Sequence, residues 1–141
     1  PVTPPADNVL NLEKFREIVS KSGIKIKVLI MDQKKIGGVG NIYANDALWL
    51  AGIDPGRSAK SLSLSEQSKL YESIIEVLKR GLKAGGASEL NYVNALGQEG
   101  AYQRQFLAYA QDGKPCQRCH AQMKKIFLGG RGTYFCEKCQ K

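Results

Sequence analysis

The four cysteines of this chain fall into two pairs, Cys116-x2-Cys119 and Cys136-x2-Cys139, with sixteen residues between them. Each pair sets two thiolates on one tight turn, and the interval is long enough for a β-hairpin. Paired knuckles at this separation are the sequence form of a tetrahedral four-cysteine zinc site. Such a site is closed by its four ligands and is therefore structural rather than catalytic. So short a unit cannot bury a core of its own, so its folding should depend on one Zn²⁺. His120 adjoins a knuckle, but with four cysteines at hand it reads as a surface residue. Two disulfides in a secreted domain are the alternative use of the same cysteines.

The interval between the knuckles carries Lys124, Lys125 and Arg131 and no acidic residue. Gly129-Gly130 has the composition of a primed two-residue turn, which puts Arg131 directly after the hairpin tip. A guanidinium there suits a phosphate or a base edge in a narrow groove. The plainer alternative is a solvated hairpin arginine. A second candidate is Gly37-Gly-Val-Gly-Asn41, which is neither a dinucleotide fingerprint nor a Walker A sequence. It would set backbone N–H groups and the Asn41 amide at a helix start, where partial positive charge favours a phosphate oxygen. Simple capping of that helix by Asn41 is equally open. No nucleophile–base set and no paired carboxylates can be read from the spacing. The chain is unconvincing as a free-standing enzyme.

These residues need elements to position them. Residues 1–10 hold three prolines before any periodicity begins and read as a linker. A helix capped by Asn11 and running to about Ser22 puts Leu12, Phe15, Ile18 and Val19 on one face, with Gly23 as its stop. The stretch Ile24–Met31 alternates at first and then runs apolar, so strand and helix both remain open. Ile42–Leu50 follows the glycine turn as a helix that Gly52 ends. The longest helix starts at Ser63, which forms a capping box with Glu66, and buries Leu70, Ile74, Val77, Leu78 and Leu82. Gly85-Gly86 ends it. Residues 87–101 read as a mobile loop, Tyr102–Tyr109 as a short helix or an extended segment, and Asp112-Gly113 as a turn into the zinc unit. The fold class is mainly α: a linker over 1–10, a helical domain over 11–110 and a small four-cysteine β-hairpin zinc finger over 111–141.

Lys and Arg total 21 against 13 Asp and Glu, a net charge of +8, with a pI near 9.4. Four thiolates around one Zn²⁺ would bring this to about +6. The surplus favours a polyanionic partner. No stretch approaches the ~18–20 apolar residues of a membrane span, and Pro1-Val-Thr-Pro-Pro5 does not resemble a signal peptide. A reducing, cytoplasmic setting and a metal role for the cysteines are the consistent expectation.

Four segments carry a family resemblance. Met31-Asp-Gln-Lys-Lys-Ile-Gly-Gly-Val-Gly-Asn-Ile-Tyr-Ala-Asn-Asp-Ala-Leu48 resembles the helix–two-turn–helix signature of bacterial formamidopyrimidine-DNA glycosylases. Ala51-Gly-Ile-Asp-Pro55 resembles the turn after it. Tyr92-Val-Asn94 with Gly97, Gly100 and Gln103 resembles the loop before that family's finger. Gly129-Gly-Arg-Gly-Thr-Tyr-Phe-Cys-Glu-Lys-Cys-Gln140 resembles the finger itself. The match runs over about residues 12–140 and corresponds to the C-terminal half of the family.

The resemblance implies a base-excision-repair glycosylase and abasic-site lyase for oxidised purines such as formamidopyrimidine and 8-oxoguanine, with damaged double-stranded DNA as partner. It implies a monomer in the bacterial cytoplasm, at the nucleoid. Asn41 would grip a phosphate beside the lesion, and Lys27 would add a further DNA contact. Arg131 would hold neighbouring phosphates and serve as proton donor in δ-elimination once the N-terminal catalytic domain is present. Cys116, Cys119, Cys136 and Cys139 would hold the zinc. Residues 87–101 would correspond to the loop that covers an everted base.

The family's nucleophile is an N-terminal proline followed by glutamate. Pro1 offers a secondary amine, but Val2-Thr3-Pro4 follow it, so residues 1–10 fit the interdomain linker instead. Gly23 stands where a further basic residue is common, and Ala87 and Asn91 stand where hydroxyl side chains are common, which leaves lesion preference open. An endonuclease VIII-like enzyme for oxidised pyrimidines is the nearest rival. A zinc-ribbon nucleic-acid-binding module without enzymatic activity, or a zinc-stabilised protein-interaction domain, would be rivals of another class.

Overall fold

Asn11 opens the first helix as the cysteine-free half predicts: its side chain accepts from Lys14 N at 2.8 Å, and α1 runs Leu12–Lys21. The computed structural model describes residues 11–37, 39–83 and 106–141. Phe15 and Val19 on α1 are buried, and Phe15 meets Tyr71 of the long helix with ring centroids 5.6 Å apart.

The ambiguous stretch resolves into both of its readings. Lys25 forms an isolated antiparallel bridge with Ser58, and Ile26–Ile30 then coils into the short helix α2. The start of α2 is held by backbone bonds from Ile26 N to Arg57 O (2.7 Å) and Lys27 N to Pro55 O (3.2 Å). Ile26, Leu29 and Ile30 are fully buried. They cannot alternate like a half-solvated strand, because almost every residue here faces protein.

The third helix, α3 (Asn41–Ala51), begins at Asn41 rather than being capped by it; Gly40 is the N-cap and gives no side-chain bond. All of α3 except Leu50 is buried. It is surrounded rather than amphipathic, and buries polar Asn41, Asn45 and Asp46 along with its apolar residues. Gly52 ends it at φ 74°, a left-handed turn suited to glycine.

A 3₁₀ turn over Ala59–Ser61 leads to α4 (Leu64–Lys83), whose capping box is present in full: Ser63 N donates to Glu66 Oε1 at 2.9 Å, and Glu66 N donates to Ser63 Oγ at 3.1 Å. Arg57 clamps the same carboxylate with two bonds of 2.6 and 3.0 Å and reaches the Lys141 carbonyl at 3.1 Å. Leu70, Ile74 and Val77 are buried as expected, but Leu82 is 50% exposed. Gly81 occupies the buried face of that last turn. Its place against α3 is enforced by sterics: a Cβ there would stand 2.6 Å from Tyr43 Cε1, on a ring only 6% exposed. Gly81→Ala should therefore lower stability by about 1–3 kcal/mol through overpacking, outweighing alanine's helix advantage of about 1 kcal/mol. Thermal melting checks this, and an unchanged or raised Tm would contradict it.

The boundary at Gly85-Gly86, the loop 87–101 and the segment 102–105 lie outside the described residues. Phe106–Tyr109 forms a turn rather than a helix or a strand. The chain then closes with an antiparallel hairpin, β1 (Lys124–Leu128) and β2 (Arg131–Phe135), registered Lys124↔Phe135 through Leu128↔Arg131. Gly129 and Gly130 have φ 58° and 76°, the two positive values of a type I′ turn. The fold class is as expected, mainly helical with a C-terminal four-cysteine hairpin. The hairpin is no loose appendage: Lys141 N bonds Gly52 O at 3.0 Å, and Asp54 N bonds Lys141 O at 3.1 Å.

Candidate metal centre and nucleic-acid interface

The four sulfurs of Cys116, Cys119, Cys136 and Cys139 lie within 4.8 Å of one another. A tetrahedral site with Zn–S bonds of about 2.3 Å spaces its sulfurs about 3.8 Å apart. Here Cys116 and Cys139 are 3.8 Å apart and Cys119 and Cys136 3.5 Å. Donor type, number and spacing all fit one structural Zn²⁺. Burial raises the Cys116 thiol pKa, but backbone N–H groups of Cys119 and Arg118 and the Trp49 indole outweigh it and bring the value to about 6. That sulfur is thus predisposed to be the thiolate a metal requires. His120 is exposed and outside the cluster; its φ of 67° turns the first knuckle, with its N–H bonded to Cys116 O at 2.8 Å.

Around the ligands, α3 and the knuckles interlock. Trp49 Nε1 donates to Cys116 Sγ at 3.4 Å. Arg118 lies 3.7 Å over the Trp49 ring and donates to the Trp49 carbonyl. Gln140, 2% exposed, accepts from Cys136 N at 2.8 Å and donates to Ile53 O at 3.0 Å. Trp49, Ala108, Cys116, Met123 and Cys136 form one small buried cluster. Two of the four candidate metal ligands, the finger and α3 therefore share a core.

The expected binding residues converge between the start of α3 and the beginning of β2. Lys27 on α2 is 0% exposed, and its ammonium donates to Asn41 Oδ1 (2.5 Å), Thr133 Oγ1 (2.9 Å) and Gly132 O (3.3 Å). Burial, and then the nearby charge of Arg131, lower its pKa to about 8. All three of these bonds run to protein acceptors. Asn41, 3% exposed, turns its amide nitrogen to Gly132 O at 3.2 Å. Its side chain thus faces the finger, contrary to the capping alternative. Arg131 is exposed at the first position of β2, in the pair that closes the turn. One buried ammonium joins the helix start to the strand that carries this arginine.

Asn45, which no sequence motif marks, completes the network. Its amide nitrogen donates to Asn41 O (2.9 Å) and Gly132 O (3.2 Å), and its Oδ1 accepts from Tyr134 N at 2.7 Å. The spacing 41, 45, 49 was the available signal: three polar or aromatic residues one helical turn apart all meet the finger. Asp46 carries no local signal in the sequence. Its buried carboxylate accepts from Leu107 N (3.1 Å), Ala108 N and Tyr109 N (both 2.9 Å), partners some sixty residues away.

Residues 2–91 match the family model described as the formamidopyrimidine-DNA glycosylase H2TH domain, and residues 113–141 match the zinc finger found in FPG and IleRS. The chain is 42% identical over 137 residues to formamidopyrimidine-DNA glycosylase of Enterococcus faecalis, covering 97% of this chain and 49% of that protein. It is 45% identical over 118 residues to the enzyme of Bdellovibrio bacteriovorus, covering 84% and 44%. Among solved structures it superposes on MutM (Fpg) of Thermus thermophilus with TM-score 0.88 and 34% identity, covering 98% of this chain and 53% of that one. A Lactococcus lactis Fpg in complex with DNA containing an abasic site gives TM-score 0.86 and 38% identity, covering 98% and 50%. The chain spans about half the length of the curated relatives it matches. With more than half of its residues matching that family model, the chain belongs to the formamidopyrimidine-DNA glycosylase H2TH-domain family.

Proposed function

We propose that this chain is the DNA-binding half of a base-excision-repair DNA glycosylase and abasic-site lyase that removes oxidised purines, with damaged double-stranded DNA as its partner. The observation that carries the reading is the convergence of Asn41, at the start of α3, and Arg131, beside the hairpin tip, through the Gly132 carbonyl. Two elements thereby meet where Arg131 is exposed, as the grip on a kinked phosphate backbone requires. The net charge, +8 by side-chain count and about +6 with four thiolates on one Zn²⁺, supplies the attraction. The relatives named above are all formamidopyrimidine-DNA glycosylases, which favours oxidised purines over the pyrimidine lesions of an endonuclease VIII-like enzyme.

In this reading Asn41 and Arg131 hold phosphates, and Arg131 donates the δ-elimination proton only alongside a catalytic domain. Zinc supplies no chemistry to the reaction; bound by the four cysteines it stiffens the finger. The 141 residues by themselves bind duplex DNA and do not cleave it. The helical part over 11–110 and the finger over 111–141 act as one monomeric binding surface. Its place is the bacterial nucleoid; among the described residues no helix is long and apolar enough to cross a membrane.

Arg131→Ala should weaken duplex binding by roughly 1–3 kcal/mol, as expected for a charge-assisted contact. It should also flatten the salt dependence by about one phosphate contact. Fluorescence anisotropy with an abasic-site duplex measures both, and equal low-salt affinity for variant and wild type would refute the role. Borohydride trapping of the full-length parent on the same duplex tests the enzymatic part: a covalent adduct supports a lyase, and its absence favours a binding module.

A further inference from the structure

Lys27 is an unusual residue to find fully enclosed. Removing an ammonium from water costs several kcal/mol unless it is well paired, and a methionine of similar length would fill the same space. What the charge adds is geometry. An ammonium only donates, so the Asn41 amide must face it with Oδ1, which decides how the Nδ2 end is turned. The same three-donor group takes Gly132 O and Thr133 Oγ1 on β2, the two residues after Arg131. A pKa of about 8 leaves it mostly charged near neutrality.

We propose that Lys27 is a positioning residue, a buried peg that fixes the finger strand to the start of α3 so that Arg131 and Asn41 meet one DNA backbone in register. The inference rests on the DNA-binding reading above and gives Lys27 a role within it that excludes contact with DNA.

The test is a double-mutant cycle of Lys27→Met with Arg131→Ala in the full 141-residue zinc-loaded chain. Affinity for an abasic-site duplex is measured from low to moderate salt, and zinc content confirms an intact finger. Lys27→Met alone should weaken binding about tenfold, and should do so by less than about twofold when Arg131 is already alanine. Salt slopes of both single variants and of the double variant should fall by about 0.9, one phosphate contact in all. Additive losses with a double-variant slope lower by about 1.8 would mean that Lys27 itself touches phosphate, which overturns the proposal. Unchanged affinity of a zinc-loaded Lys27→Met with only a lower Tm would mean mere core filling, which also overturns it.

Should Lys27→Met fail to fold, Thr133→Val keeps shape while removing one acceptor of the ammonium, together with the hydroxyl's own bond to Arg131 O (3.1 Å). It should weaken wild-type binding about threefold and have no effect beside Arg131→Ala, and additivity there would count equally against the peg. A wild-type chain that ignores duplex at low salt overturns the DNA-binding reading itself, an outcome separate from any comparison among variants.

Discussion

Cys136→Ser should release zinc, unfold the hairpin and abolish duplex binding together. Cys136 is fully buried in the cluster with Trp49 and Met123, and its backbone N–H is taken by Gln140. Bound structural zinc contributes on the order of 10 kcal/mol in small four-ligand units, and a two-stranded hairpin is only marginally stable by itself. The loss should spread beyond the finger. Trp49 donates to Cys116 and lies under Arg118, while Lys141 is tied to Gly52 and Asp54. Trp49 is the only tryptophan, so its fluorescence should shift on chelation and return with zinc. The helices retain their own buried cluster, and far-UV helicity should largely persist. Unchanged metal content in the variant would refute the assignment of Cys136 as a ligand.

Asp46→Ala should cost roughly 3 kcal/mol or more, a fall in Tm of roughly 10 °C. Its carboxylate is 0% exposed and accepts three consecutive backbone N–H groups, from Leu107, Ala108 and Tyr109. Truncation leaves these donors without their acceptor in a site where water has poor access. The consequence reaches the finger, because Tyr109 packs edge-on against Tyr134 at 5.1 Å and Ala108 belongs to the zinc-side cluster. The variant should thus bind zinc more weakly than wild type although no ligand has changed. A Tm within about 2 °C of wild type would show that the turn is held by other means.

What could be read from the sequence was local. The cysteine knuckles, the Gly129-Gly130 turn and the Ser63/Glu66 capping box each lie within a few residues, and each signal maps onto one backbone geometry. The family resemblance extended that reading to the helix–two-turn–helix region. What could not be read depended on distant partners. Lysine is almost always solvated, so nothing near Lys27 announced that Asn41, Gly132 and Thr133 would enclose it. Asp46 looked like any helix carboxylate until the turn at 106–109 was brought over it. Leu82 kept the spacing of the α4 face but fell on its open side, where Gly81 takes the contact with Tyr43. In α3, burial on every side leaves no polar face to contrast with an apolar one, so only the one-turn spacing of Asn41, Asn45 and Trp49 hints at the face that meets the finger.

Anisotropy titration of an abasic-site duplex with the zinc-loaded chain, the chelated chain and the chelated chain given zinc back bears most directly on the metal-held grip. Tight, salt-sensitive binding should vanish with the metal and recover with it. Full affinity in a metal-free chain, or none in the loaded one, would contradict the account.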